Sequence, residues 1–477
     1  MPLYVAASIH STHSPSLSIP VDIIQEIFGH LASPVLDTHP GCHFPWVLGQ
    51  ICSDWRAIFL SMKPQFWSRI AIRYEELEFN PQKVRRSKEI LEFFLNRDRA
   101  APFSFDYMML VRGMTIPMHP VLDLLVEEST RWESASITIS PEELPIVRRI
   151  RNRLPSLRKL DVTALGPGFP IASNDMFEHA PLLQEIALSD FSWKLNWSAL
   201  TIVTLKTSVE DTLAILPHIS NVEILSLVST YFKERARING RVGSITLSRL
   251  NTLVIAYDIP LCIDLLRAPE LKTLIFLPFT YTQFSENNWS LITSFLSQSS
   301  CTIRSLNLNV IDKESLTDVL RSAPNIVSLT FTLSNKWRGS RCLACLSFPG
   351  NYDDGSPEFL ARHLKSLTIV AFPYGGHTDQ PFLRAEIDTL ICIVKSRTVV
   401  LDTNDSIMER LLNLTVDMPY NAALPNELVQ LMSLCAEVGV VFRYSLGGGM
   451  GVPAPFGDIP ERKVYKQRGA VKYLMTH

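Results

Sequence analysis

Leu157-Arg-Lys-Leu-Asp-Val162 carries the spacing apolar-x-x-apolar-x-apolar, and the chain returns to it again and again. Further copies are Leu183-Gln-Glu-Ile-Ala-Leu188, Val222-Glu-Ile-Leu-Ser-Leu227, Leu250-Asn-Thr-Leu-Val-Ile255 and Leu271-Lys-Thr-Leu-Ile-Phe276. Ile303-Arg-Ser-Leu-Asn-Leu308, Ile326-Val-Ser-Leu-Thr-Phe331, Leu364-Lys-Ser-Leu-Thr-Ile369 and Leu411-Leu-Asn-Leu-Thr-Val416 follow. Recurrence on this scale marks an internal repeat, which takes precedence over any other fold assignment. The last two apolar positions alternate as a strand requires. Several copies stand behind Ala180-Pro181, Ala268-Pro269 or Ala323-Pro324, where the proline ring disfavours helical geometry in the residue before it. The unit therefore reads helix, proline stop, strand, with helices predicted over 82–96, 259–267, 289–296, 313–321 and 427–438. A strand that alternates with a helix stacks into a parallel sheet with helices outside, so the expected class is α/β.

Outward from the repeats, Pro102-Phe-Ser-Phe-Asp-Tyr107 and Ser134-Ala-Ser-Ile-Thr-Ile139 read as earlier half-units, and Val438-Gly-Val-Val-Phe-Arg-Tyr444 as a last strand. The predicted divisions are a flexible lead at 1–18, a helical module at 19–72, the repeat region at 73–445 and a mobile tail at 446–477. Within 477 residues, 46% apolar and 19% charged, there is ample material for a large core, which excludes intrinsic disorder. A formal charge of -2 lacks the footprint of a chain that grips phosphate backbones, so no nucleic acid is expected. No apolar run is long enough to span a membrane and residues 1–14 lack a secretory pattern, so an intracellular protein, cytoplasmic or nuclear, with no membrane association is expected. The eight cysteines are scattered, as reduced thiols would be.

The helical module opens with apolar residues at 19, 23, 24, 27, 28 and 31, the helical period, with Pro20 and Asp22 suited to a first turn. The period resumes at Val47, Leu48, Ile51, Cys52, Trp55, Ile58 and Phe59 as a second helix, and Ile70 and Ile72 alternate as a strand. A unit of about 55 residues buries only about 60% of its unfolded surface, which leaves more apolar side chains than it can cover. The surplus docks either on the rest of the chain or on another protein.

Ile19-Pro20-Val21-Asp22-Ile23-Ile24-Gln25-Glu26-Ile27-Phe28, then Ile51-Cys52-Ser53-Asp54-Trp55-Arg56-Ala57-Ile58, then Pro64-Gln65-Phe66-Trp67 resemble an F-box. The family pattern is a Leu-Pro start, a Val-Cys-x-x-Trp-Arg core and a closing Leu-Trp. This chain departs from it at Ile19, Ile51 and Phe66 and in a Pro-containing insert at 32–45. The cassettes resemble an irregular leucine-rich-repeat solenoid whose usual Asn or Cys ladder is replaced by Leu165, Phe191, Thr230, Asp258 and Phe279. Together with Ala101-Pro-Phe-Ser-Phe105 and Arg131-Trp-Glu-Ser134, the whole is similar to the F-box-like proteins of mushroom-forming fungi. The resemblance implies a three-helix domain that binds the Skp-type adaptor of an SCF cullin-RING ubiquitin ligase, with the repeats presenting a target protein. Ile19, Pro20, Ile23, Ile27, Leu48, Ile51, Trp55 and Trp67 are the candidate adaptor contacts. The alternative is a protein-interaction scaffold whose F-box has decayed and which needs no adaptor.

Catalytic motifs were weighed against this. Cys342-Leu-Ala-Cys345 has the spacing of half a zinc site or a dithiol, but no second Cys-x-x-Cys exists. His39, Cys42 and His43 would supply three ligands without a fourth. Gly447-Gly-Gly-Met-Gly451 runs into Pro453 rather than a helix N-terminus, which a phosphate loop requires. No enzyme, cofactor or metal is therefore expected, and a thiol or metal enzyme built on 342 and 345 is the reading from another class. Arg148, Arg149, Arg151, Arg153, Arg158 and Lys159 form either a solvated face or a docking patch for an acidic or phosphorylated partner. Trp193, Trp197 and Trp337 either pack within repeats or contact a target.

Overall fold

The computed structural model describes residues 19–31, 36–37, 46–62, 64–75, 81–97, 99–110, 120–164, 175–189, 193–228, 243–256, 261–277, 289–309, 313–334, 342–347, 360–372, 380–399, 409–419 and 426–447. Two compact units divide the chain, Met1–Leu271 with Gln298–Cys301, and Lys272–Ser297 with Thr302–His477. Both are α/β, with parallel strands and helices outside them.

The first unit runs α1 (Val21–Leu31), β1 (Leu36–Asp37), α2 (Ser53–Leu60), β2 (Arg69–Glu75), α3 (Pro81–Arg97), β3 (Phe103–Leu110), α4 (Pro120–Glu127), β4 (Trp132–Ile139) and α5 (Leu144–Val147). It continues with β5 (Lys159–Ala164), β6 (Glu185–Leu188), β7 (Ile202–Leu205), α6 (Val209–Ile215), β8 (Ile224–Val228), β9 (Ile245–Thr246), β10 (Thr252–Ala256) and β11 (Leu266–Arg267). Strands β1 to β8 pair in sequence order and β10 then pairs with β8, every pairing parallel. In the second unit β12 (Thr273–Leu277), α7 (Trp289–Ser299, most of it in this unit), β13 (Ser305–Asn309), α8 (Lys313–Ser322), β14 (Ser328–Ser334), β15 (Ser366–Phe372), α9 (Gln380–Val399), β16 (Asn413–Pro419), α10 (Asn426–Glu437) and β17 (Val441–Gly447) follow. Its strands also pair in order and in parallel.

Every cassette is a strand, and the register explains why its apolar residues recur. Leu160 faces Ile186, Ile186 faces Val203, Val203 faces Leu225 and Leu225 faces Leu253, all buried. In the second unit Leu274, Leu306, Leu329, Leu367 and Leu414 form the same kind of ladder. The first apolar residue of each cassette is buried just ahead of its strand, and in most cassettes the residue after it donates a backbone N–H to the preceding repeat. Arg158 to Glu133 at 2.8 Å, Glu223 to Thr201 at 2.8 Å and Leu412 to Lys365 at 2.8 Å are examples. Each repeat thus satisfies its backbone on its neighbour and cannot close its own core.

Helices 82–96, 289–296, 313–321 and 427–438 correspond to α3, α7, α8 and α10. The predicted helix at 259–267 does not form. Between Pro260 and Pro269 too few residues remain to offset the cost of nucleating an α-helix, and the segment is a 3-10 turn at Leu261–Leu265 followed by β11, which pairs with β9. The second helix of the N-terminal module is likewise broken into a 3-10 turn, Trp46–Gln50, and α2. The ladder positions 165, 191, 230, 258 and 279, the lead 1–18 and residues 448–477 lie outside the described residues, as do 39, 42, 43 and 337.

Two buried polar groups tie repeats together. Tyr107, fully buried on β3, donates its hydroxyl to Oε1 of Glu143 at 2.8 Å, while Oε2 accepts the Ser140 N–H at 3.0 Å. In the second unit Arg397, 1% exposed, donates Nη2–H to the carbonyls of Leu360 and Ala361 at 3.3 and 3.2 Å. Burial pulls its pKa down to about 10.

Candidate functional site

The N-terminal module sorts its apolar residues by helical face. On α1, Ile24 and Phe28 are buried, whereas Ile23 is 48% and Ile27 37% exposed. Ile19 and Val21 are exposed as well, at the head of the same helix, and Pro20 is exposed beside them. The Pro20 carbonyl accepts the Ile24 N–H at 3.1 Å, and Asp22 complements the positive end of the helix.

The start of α2 is set by Cys52. Its backbone is extended and its Sγ accepts the Trp55 N–H at 3.5 Å, taking the place that a serine or aspartate usually fills. That cap ends the preceding turn and leaves Ile51 56% exposed. Arg56 Nε–H donates to the Gly49 carbonyl at 2.8 Å and holds the two segments together. Across the module, Phe28 meets Trp55 edge-on at 5.1 Å and Phe59 meets Trp67 at 4.9 Å. Phe66 and Phe93 complete the cluster around Trp67 at 5.1 and 6.1 Å, and the Arg97 guanidinium lies 4.4 Å over its ring.

Of the eight candidate contacts, Ile19, Pro20, Ile23, Ile27 and Ile51 are exposed and Trp55 is half-buried. Trp55 Nε1 is buried with no hydrogen-bond partner among the described residues. Leu48 and Trp67 are each 4% exposed, so nearly all of each side chain is covered by packing within the chain. Val21 and Leu60 are exposed apolar residues that the sequence reading left out. A spacing of four residues links 19, 23 and 27 just as it links 24 and 28, so period alone does not say which row faces inward.

Several of the other candidates make contacts within the chain. Arg149 pairs with Asp123 at 2.7 Å, Arg151 with Asp175 at 2.8 Å and Lys159 with Glu185 at 2.5 Å, while Arg153 donates to the Glu127 carbonyl at 2.6 Å. Three of the six basic side chains of the patch are therefore paired with carboxylates within the chain. Trp193 is buried against Phe177 at 5.4 Å, and Trp197 is half-buried. Arg131 and Trp132 brace the first repeats. Arg131 donates to the carbonyls of Ala101 and Leu95 and pairs with Glu128 at 2.9 Å, and Trp132 Nε1–H donates to the Leu125 carbonyl at 3.0 Å. Cys342 opens a 3-10 turn, Cys342–Leu346, with Cys345 half-buried. Among the described residues no group of three His, Cys, Asp or Glu side chains is placed to hold a metal ion. Among them, too, no helix is long and apolar enough to cross a membrane.

No protein-family model matches the chain, and no curated protein matches it by sequence.

Proposed function

We propose that this chain is the substrate-recognition subunit of an SCF-type cullin-RING ubiquitin ligase. Its F-box-like module would bind a Skp-type adaptor through the exposed row of α1 together with Ile51, and its leucine-rich-repeat-like strands would present a target protein. The observation that carries this reading is the surplus of apolar surface. With Ile24, Phe28, Leu48, Ile58, Phe59 and Trp67 already filling the core, Ile19, Ile23, Ile27 and Ile51 remain between 37% and 56% exposed. Large aliphatic side chains left in water on a structured face are what a protein partner covers, and one central residue typically contributes about 2 kcal/mol or more to such an interface. In this reading the transfer chemistry belongs to other ligase subunits and the chain is not an enzyme.

A second reading, a scaffold with a decayed F-box, is favoured by one observation. Among the described residues, 19–72 carry two α-helices and two 3-10 turns, Trp46–Gln50 and Pro64–Trp67, where the resemblance implies three helices.

Capture of purified Skp-type adaptor by the full chain separates the two. The wild type should retain adaptor, and Ile23→Asp combined with Ile27→Asp should lose it with an unchanged unfolding midpoint, because both side chains already face solvent. Equal retention by the double variant would remove α1 from the interface, and no retention by the wild type would favour the scaffold.

A further inference from the structure

We propose that the cleft beside Trp67 binds an acidic segment of a partner protein, setting a carboxylate against Arg97 and a neighbouring apolar side chain against Phe94 and Phe103. The cleft, about 220 Å³, is walled by Trp67, Phe94, Phe103, Pro102, Arg97 and Arg131, and among the described residues no carboxylate lines it. Its two guanidinium groups differ in what they have to offer. Arg131 is committed within the chain, to Glu128 and to two backbone carbonyls. Arg97 stacks on Trp67 at 4.4 Å, and no carboxylate among the described residues pairs with it. Half-buried cations ordinarily find a counter-charge, because partial desolvation without one is unfavourable. Burial draws the Arg97 guanidinium below its ordinary value. A planar guanidinium fixed on an indole presents its N–H fork ready for a carboxylate.

The surface continues past this point. A second cleft shares Pro102 and Arg131 with the first and adds Arg158 and the exposed Leu182, with Glu133 as its one acid among the described residues. Cations therefore alternate with apolar walls past the N-terminal ends of β3, β4 and β5, which suits an extended peptide better than a compact small molecule. Glu128 and Glu133 keep the positive field local, unlike the broad field that nucleic acid needs. This site does not rest on the adaptor reading, since no exposed residue of α1 lines either cleft.

Fluorescence anisotropy of labelled peptides on the full chain tests it. The probes are a peptide alternating Glu with Phe and Leu, its Gln counterpart and a phosphoserine counterpart. The Glu peptide should bind, and both the Gln exchange and Arg97→Gln should weaken it about tenfold or more, the scale of one charge-assisted hydrogen bond. Arg158→Gln, at an exposed position that does not threaten folding, should weaken it severalfold. Equal binding of Glu and Gln peptides, wild-type affinity in Arg97→Gln, or no binding of the Glu peptide overturns the proposal. Binding of the phosphoserine peptide alone would overturn the assignment to carboxylate.

Discussion

Replacing Trp67 by alanine separates a core role from an interface role at a residue the sequence places in the interface. A buried tryptophan covers about 150 to 250 Å², which at about 25 cal/mol per Å² gives an upper bound of roughly 4 to 6 kcal/mol. Trp67 is 4% exposed and meets Phe59, Phe66 and Phe93 edge-on between 4.9 and 6.1 Å, so little of that area is shared with water. The stacked Arg97 adds about 0.5 to 1 kcal/mol. Allowing for partial collapse of the void, the expected loss is about 3 to 5 kcal/mol. Two compact units need not unfold in one step, so the loss is best read by hydrogen exchange of the amides in β2 and α3, which reports local opening free energies. Trp67→Phe should recover more than half of it. If Trp67→Ala changed protection by less than about 1 kcal/mol yet abolished adaptor capture, Trp67 would be an interface anchor and the assignment to the core would fail.

Tyr107→Phe leaves the buried Glu143 carboxylate with one hydrogen bond instead of two and should cost about 1 to 3 kcal/mol. Urea unfolding measures it, and a loss under about 0.5 kcal/mol would mean that water replaces the hydroxyl. Lys365 and His363 hold the Glu409 carboxyl below its ordinary 4.5, so its contribution stands in full above that value and fades as pH falls through the lowered pKa. The stability gap between wild type and Glu409→Gln should therefore close in acid, and a gap that widened there would reverse the sign. Burial raises the thiols of Cys262 and Cys435 to about 12 and about 11, whereas Cys392 is exposed. A thiol reagent at neutral pH should label Cys392 and spare the other two until the chain unfolds, as peptide mapping would show.

The strands were legible because the repeat confines two apolar residues to one face in every unit, and nothing local competes with that pattern. Leu200-Thr-Ile-Val-Thr-Leu205 carries the same spacing and forms β7, so its omission was a missed match and not a silent sequence. Helix α9 was hidden for a physical reason. Leu390 to Val394 is a continuous apolar run that blurs the helical period, and its buried face ends on a charged residue, Arg397. The break between the 3-10 turn and α2 depends on a cysteine acting as a cap, a use its residue type does not advertise. Which row of α1 faces inward was undetermined for a similar reason, because it depends on where Phe59 and Trp55 lie and not on spacing. Leu48 and Trp67 look like interface anchors in sequence because large apolar residues serve cores and contacts alike.

Strand β2 begins within two residues of Trp67 and hands its pairing directly to β3, with Ile70, Ala71 and Ile72 wholly enclosed. A chain cut after residue 72 would bare that edge and its isoleucines together, a combination that invites clumping with other strands. The front of this molecule is therefore ill suited to being lifted out and grafted elsewhere, since its last secondary-structure element is also the foundation course on which the next one is laid.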